Sequence, residues 1–154
     1  MPGSWLGPSG SAIFETVATS RSRTPAQIFS LLFGAVYVLV GVAGFVTTGL
    51  QGFADPDPSG TLIVFGLNPL HNIVHLVIGV AWIAASRSPE ASRIVSLAIG
   101  AVLGLVAVLG FVGALRFLAI DSLGDPDNFL HLATAALALY FGTVGAEPAQ
   151  GRAR

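Results

Sequence analysis

Four long apolar runs constrain the fold of this chain more than any other feature. They occupy residues 27–50, 69–85, 92–117 and 128–145. A helix needs about 20 apolar residues to cross a hydrocarbon core of about 30 Å, and the runs are close to that length. Charged residues make up 10% of the chain, whereas a soluble domain has about 25%. The sequence therefore predicts an all-α, four-helix transmembrane bundle, a multi-pass protein of the cell (plasma) membrane with the lipid bilayer as its partner.

Each apolar run is preceded by a polar residue and a proline. Such a polar side chain accepts a hydrogen bond from a free backbone N–H at a helix start, and proline lacks the N–H that would stay unsatisfied there. Hydrocarbon offers no water to exposed backbone groups, so these starts matter more in a membrane. The four pairs are Thr24-Pro25, Asn68-Pro69, Ser88-Pro89 and Asp125-Pro126. They predict four helices, and Thr24 with Gln27 also fits a capping box.

The segments outside the runs predict the domain boundaries and the orientation. Residues 25–146 form the four-span membrane domain, and residues 1–24 and 147–154 are predicted to be disordered tails. Basic residues lie on one side of the runs: Arg21, Arg23, Arg87, Arg93, Arg152 and Arg154. The other side holds Arg116 and the aspartates: Asp55, Asp57, Asp121, Asp125 and Asp127. Because cytoplasmic loops carry an excess of Lys and Arg, both tails are predicted to be cytoplasmic.

The chain contains an internal repeat. The first and third runs align at a shift of 66 residues, so that Ser30, Gly34 and Gly44 reappear as Ser96, Gly100 and Gly110. The second and fourth runs align at a shift of 56, so that Asn72 and His75 reappear as Asn128 and His131. Two spans per half make both halves enter the membrane in the same direction. The sequence thus predicts two helical hairpins arranged as a parallel repeat.

Six polar residues near the starts of the second and fourth runs form the candidate site. Side chains three or four positions apart share one face of a helix, as the members within each run do. Amide and ionisable groups are costly inside a membrane, which makes them candidates for a function. We call these residues the polar cluster: His71, Asn72, His75, Asp127, Asn128 and His131. They include every histidine of the chain.

A structural role is the first interpretation of the polar cluster. Each histidine can hydrogen-bond an asparagine of the opposite half, which would lock the second and fourth helices together, because polar side chains hold membrane helices to one another. Such a network is satisfied without any ligand. This interpretation predicts a non-enzymatic membrane protein, and it leaves open a homo-oligomer or a subunit of a membrane complex.

A bound cofactor is the alternative interpretation. His71 and His75, at positions i and i+4, can chelate one metal ion, and Asp127 and His131 can complete its ligand set. A haem held by the symmetric pair His75 and His131 is another candidate. A quinone or a lipid headgroup hydrogen-bonded by the cluster is a third, and Asn72 and Asn128 join the two histidines as candidate cofactor-binding residues. A metal, haem or quinone would serve redox chemistry at the outer leaflet.

Composition and motifs disfavour several other functions. The chain has no cysteine, which removes disulfides, thiolate metal sites and thiol catalysis. Its net charge of -1 comes without a basic patch, so no nucleic-acid partner is expected. No phosphate-binding loop and no serine nucleophile motif occurs, so an enzyme is not favoured. Residues 61–67, within the outer segment 51–67, are too few to cross a membrane. They predict a strand-like or interfacial segment that lies over the bundle.

Two motifs give the chain a family resemblance. Residues 68–76 read NPLHNIVHL, and residues 127–131 read DNFLH. Together they resemble the signature of an uncharacterised bacterial family of four-helix membrane proteins, catalogued as a domain of unknown function, over residues 25–145. The resemblance implies a four-helix integral membrane protein and supports the polar cluster as its site, but it implies no reaction. A looser architectural likeness links the chain to DoxX-type proteins.

Overall fold

Four α-helices account for most of residues 22–121 and 123–144, the part of the chain that the computed structural model describes. A two-stranded antiparallel hairpin and one 3-10 turn, Arg116–Leu118, complete this part. The helices and strands are, in chain order, α1 Pro25–Thr48, β1 Gly60–Leu62, β2 Phe65–Leu67, α2 Pro69–Ala85, α3 Pro89–Phe111 and α4 Pro126–Val144, and the 3-10 turn lies between α3 and α4. The predicted all-α fold with four helices is confirmed. The predicted tails lie largely outside the described residues.

The helices begin where the capping signals predict. Thr24 Oγ1 accepts a hydrogen bond from the Gln27 N–H at 3.2 Å, and Gln27 Oε1 accepts one from the Thr24 N–H at 3.0 Å. This reciprocal pair is the predicted capping box. At each of the other three starts, one backbone N–H donates to the capping side chain. The pairs are His71 to Asn68, Ala91 to Ser88 and Asp127 to Asp125.

The third helix is shorter than its apolar run. Residues up to 117 are apolar enough to continue it, but α3 ends at Phe111. Gly113 follows with a φ of 72° and donates its N–H to the Gly110 carbonyl at 2.8 Å. A φ of this sign is accessible to glycine at little cost, so the chain turns here. The remaining apolar residues fold back, and Leu115, Leu118 and Ile120 pack over the end of the bundle.

Helices pack most closely within each half of the chain, α1 against α2 and α3 against α4. Glycines permit this approach. A Cβ added to Gly34 would lie 2.8 Å from the Gly79 carbonyl oxygen, and one added to Gly142 would lie 2.8 Å from Leu97 Cγ. The halves then meet around an aromatic and aliphatic core: Phe29, Tyr37, Trp82, Leu103, Ala135 and Ala138. Helices α2 and α4 are therefore not the closest pair, because bulky side chains lie between them.

Loops from both halves cover one end of the bundle, which we call the hairpin end. The strands pair with Thr61 opposite Gly66, so the strand-like segment predicted over residues 61–67 is confirmed. Asn68 joins the two loops, because its Nδ2 donates to the Asp55 carbonyl at 3.0 Å and to the Phe117 carbonyl at 2.9 Å. The starts of α2 and α4 lie beneath this cover.

Two of the helices meet the requirements of a membrane span. By length and composition, α1 and α3 can each cross a bilayer, and α2 is a shorter apolar helix of 17 residues. Large apolar side chains lie on their exposed faces, among them Leu39, Val46, Val77 and Leu105.

Candidate metal centre

The structure brings the three histidines of the polar cluster together at the hairpin end. His71 and His75 lie one turn apart on α2, with ring centroids 4.5 Å from each other. His131 on α4 faces both, at centroid distances of 5.9 Å from His71 and 6.2 Å from His75. Each imidazole offers one ring nitrogen, and these nitrogens all lie within 4.8 Å of one another. We call this group the histidine triad.

All six residues of the polar cluster are buried. Asp127 lies beside the triad, with its Oδ2 4.0 Å from His71 Nδ1. The Nδ1 atoms of the three histidines and Asp127 Oδ2 form no hydrogen bond within the described part of the chain. A buried polar atom without a partner is costly. Imidazole and carboxylate are both metal ligands, so a bound cation would give such atoms a partner.

The side chains of the two asparagines of the cluster lie against α1 and α3. Asn72 Nδ2 donates to Thr48 Oγ1 at 3.0 Å, so Asn72 bonds to its own half of the chain. Its side-chain oxygen lies against Gly44, where an added Cβ would collide with it. The side-chain oxygen of Asn128 lies against Gly110 in the same way. The hydrogen bond from Asn72 to a histidine of the opposite half, expected from the sequence, is not formed.

The cavity beside the triad is small and otherwise apolar. Its volume is about 40 Å³, and the triad shares its lining with Val74, Ile78, Val102, Leu103, Val106, Leu118 and Ile120. A water molecule takes about 30 Å³ of liquid volume, whereas pockets for organic ligands measure about 300–1,000 Å³. The cavity is therefore close to the size of one water molecule and has no room for a haem or a quinone ring.

Three neighbours of the triad carry no signal in the sequence. Tyr37, from the middle of α1, has its ring centroid 5.0 Å from that of His75. Leu118 and Ile120 line the cavity beside the triad, and Ile120 is fully buried. Leu118 and Ile120 reach the site only because the chain folds back after α3. A tyrosine within an apolar run is as typical of core packing as of a site, so periodicity does not distinguish it.

Fold and site together define an all-helical protein of four helices with a buried histidine cluster at one end. Residues 27–144 match the model of the family described as Domain of unknown function (DUF4383), and the chain belongs to this family. The resemblance to a family of unknown function is thereby confirmed. No curated protein and no solved structure matches the chain.

Proposed function

We propose that this chain is a multi-pass protein of the plasma membrane, with four spans and both termini in the cytoplasm. The lengths of α1 and α3 and the apolar side chains on the exposed faces support this. The charges support the orientation, because Arg87 and Arg93 lie at the end opposite the hairpin end, where Asp55 and Asp57 lie. The hairpin end would then face outward.

Reporter fusions test this topology. A reporter that is active only in the cytoplasm is expected to work when fused after Arg154, and a reporter that is active only outside is expected to work within the loop at Asp57. The reverse pattern would refute the orientation. Equal activity of one reporter at both positions would refute the multi-pass arrangement, because the two positions lie at opposite ends of spans.

We infer that the two halves form a parallel repeat of helical hairpins. Two pairs of equivalent contacts and one contact between counterparts support this. Gly44 approaches Asn72 as Gly110 approaches Asn128. Gly34 approaches Ile83 as Gly100 approaches Leu139. Ser30 meets its own counterpart, Ser96. A repeat of this kind places symmetric residues at a shared interface between the halves.

The function that the geometry supports best is a metal centre formed by the histidine triad, with Asp127 beside it as the partner of His71. The observation behind this proposal is that three ring nitrogens from α2 and α4 lie within 4.8 Å of one another. A tetrahedral ion holds its nitrogen ligands at about 2.0–2.1 Å, so the rings would move closer together to bind one. Neutral imidazoles suit zinc, copper, iron and nickel. Asp127 supplies a nearby negative charge, which offsets part of the cost of burying a cation.

Elemental analysis of the purified full-length protein tests the metal centre. We expect about one transition-metal ion per chain, since the triad offers a single site. The double variant His75→Ala, His131→Ala is expected to lose it. Ser30→Ala removes a buried hydroxyl at the opposite end of the bundle and is the matched control, expected to retain the ion. Absence of metal from the unmodified protein, also after incubation with zinc or iron(II), would refute the proposal.

A structural lock between α2 and α4 is the second candidate. The approach of Asp127 Oδ2 to His71 Nδ1, at 4.0 Å, favours it because this pair joins the two helices. The lock predicts that His71→Ala lowers the thermal stability of protein that contains no metal. If the triad is a metal centre without a lock, His71→Ala is expected to remove only the stability that bound metal adds, and to leave the stability of metal-free protein unchanged.

A further inference from the structure

A second and larger cavity lies at the hairpin end, between the loop before α2 and the loop before α4. We call it the aspartate groove, after the three carboxylates in its lining: Asp57, Asp121 and Asp125. We propose that this groove is the route by which a divalent metal cation reaches the histidine triad, and that its carboxylates attract the hydrated ion. The inference rests on the proposed metal centre, to which it adds the path of entry.

The aspartate groove is wide enough for a hydrated ion. Its volume is about 550 Å³, whereas a water molecule takes about 30 Å³ of liquid volume. An ion that keeps its shell of water molecules therefore fits in the groove. The small cavity beside the triad, at about 40 Å³, does not hold such an ion.

The charges of the groove favour a cation. Its lining contains one basic residue, Arg116, among the residues that the structure describes. Arg116 Nε lies 3.3 Å from Asp121 Oδ1, so this pair is neutral as a whole and the carboxylates of Asp57 and Asp125 are in excess. A cleft lined by one sign of charge raises the binding rate of an oppositely charged ligand by about 10- to 1,000-fold.

The aspartates of the groove attract an ion without holding it. In the described part of the chain, the group of three metal ligands close enough together to share an ion is the triad. The groove therefore concentrates the cation at the hairpin end, and the imidazoles bind it.

One thin layer of the chain separates the groove from the triad. Ala119 lines the groove, and the residues before and after it line the cavity beside the triad. At the start of α4, Pro126 lines the groove, and the next residue, Asp127, has its Oδ2 4.0 Å from His71 Nδ1. That carboxylate oxygen is buried and forms no hydrogen bond within the described residues. Both segments thus have the groove on one side and the site on the other.

The other approaches to the triad are unfavourable for an ion. The exposed faces of the helices carry large apolar side chains such as Leu39 and Leu105, which face lipid in the proposed topology, and a cation is costly to place in hydrocarbon. Further into the bundle, Phe29, Tyr37 and Trp82 fill the core. The hairpin end is therefore the side from which a cation arrives.

Cobalt(II) uptake tests the inference, because imidazole ligands change the visible absorption of this ion. The metal-free, full-length protein in non-ionic detergent is mixed with cobalt(II) in a stopped-flow instrument at low ionic strength, where the rate is proportional to the cobalt concentration. We expect Asp57→Asn to slow uptake about threefold and Arg116→Gln to speed it by a similar factor, because a unit charge near the path changes the attraction of a divalent ion by about that much. Both differences are expected to vanish in about 1 M salt, where the Debye length is about 3 Å.

Glu90→Gln is the matched control. It removes one exposed carboxylate in the first turn of α3, at the opposite end of the bundle, and uptake is expected to match that of the unmodified protein. Slowing by Glu90→Gln as large as that by Asp57→Asn would overturn the inference, since the net charge alone would then set the rate. Unchanged rates in Asp57→Asn and Arg116→Gln, in folded protein that binds cobalt in full, would also overturn it and leave the metal centre in place. Failure of the unmodified protein to bind cobalt or any other metal would overturn the metal centre and the inference together.

Discussion

The hydroxyl of Ser30 lies 3.3 Å from the hydroxyl of Ser96, its counterpart 66 residues later in the chain. In the proposed repeat the two serines are equivalent. Two equivalent positions of symmetric halves can touch each other only where the symmetry axis passes between them. The contact therefore supports an axis between α1 and α3, at the end of the bundle opposite the hairpin end.

Removal of these serines is expected to have unequal effects. Ser96 Oγ also accepts a hydrogen bond from Trp82 Nε1 at 3.3 Å, so Ser96→Ala leaves the indole N–H unpaired, whereas Ser30→Ala leaves only a hydroxyl. We expect Ser30→Ala to cost about 0.5–1.5 kcal/mol of unfolding free energy and Ser96→Ala about 1–3 kcal/mol. Thermal unfolding in detergent measures both. Equal losses would show that the indole contact contributes nothing.

Alanine at the two equivalent glycines of the repeat is expected to destabilise both halves alike. A Cβ at Gly44 would collide with the Asn72 side chain, and a Cβ at Gly110 with that of Asn128. We expect each variant to lose about 1–3 kcal/mol of unfolding free energy, the usual cost of overpacking. Gly104→Ala is the control, because its nearest contact would be at 3.9 Å. A loss in only one half would contradict the equivalence of the two contacts.

Asn68 is expected to hold the loop cover over the triad. Its Oδ1 caps α2, and its Nδ2 binds carbonyls from both loops. Asn68→Asp keeps the cap but removes the donors, whereas Asn68→Ala removes both. Loss of a cap costs about 1 kcal/mol, so we expect Asn68→Ala to be less stable than Asn68→Asp. Both variants are expected to be cleaved faster by protease in residues 51–67 than the unmodified protein, and unchanged cleavage would contradict this role.

Asp127→Asn is expected to weaken metal binding while leaving the shape of the site intact. The carboxylate lies 4.0 Å from His71 Nδ1, and loss of such a partner of a metal ligand typically lowers affinity about 10–100-fold. Competition with a coloured chelator measures the affinity. Asp121→Asn is the matched control. It breaks the exposed ion pair with Arg116, at 3.3 Å, which is expected to matter little.

Several features of the site follow from sequence alone because they are local. The four helix starts depend on contacts within three residues, such as that between Thr24 and Gln27. The shared face of His71 and His75 follows from the helical repeat of about 3.6 residues. The same spacing places Asp127 and His131 on one face of their helix.

Contacts between distant residues needed the tertiary structure. The sequence pairs His75 with His131 by symmetry, but the distance between α2 and α4 depends on the side chains between all four helices. The close packing at Gly34 and Gly142 joins the helices within each half. The imidazoles and a small cavity therefore lie between the two halves. The cavity is too small for the haem or the quinone that the sequence allowed.

The sequence by itself determined the four helices, their starts and the residue types of the site, because hydrogen bonds to the backbone and helical periodicity act over a few residues. The tertiary structure decided that α3 ends at Phe111, that Leu118 and Ile120 fold back over the triad, and that Asn72 pairs with Thr48. These outcomes depend on side-chain volume and on competition among hydrogen-bond partners that lie far apart in the chain. Only the packed fold brings such partners within reach of one another.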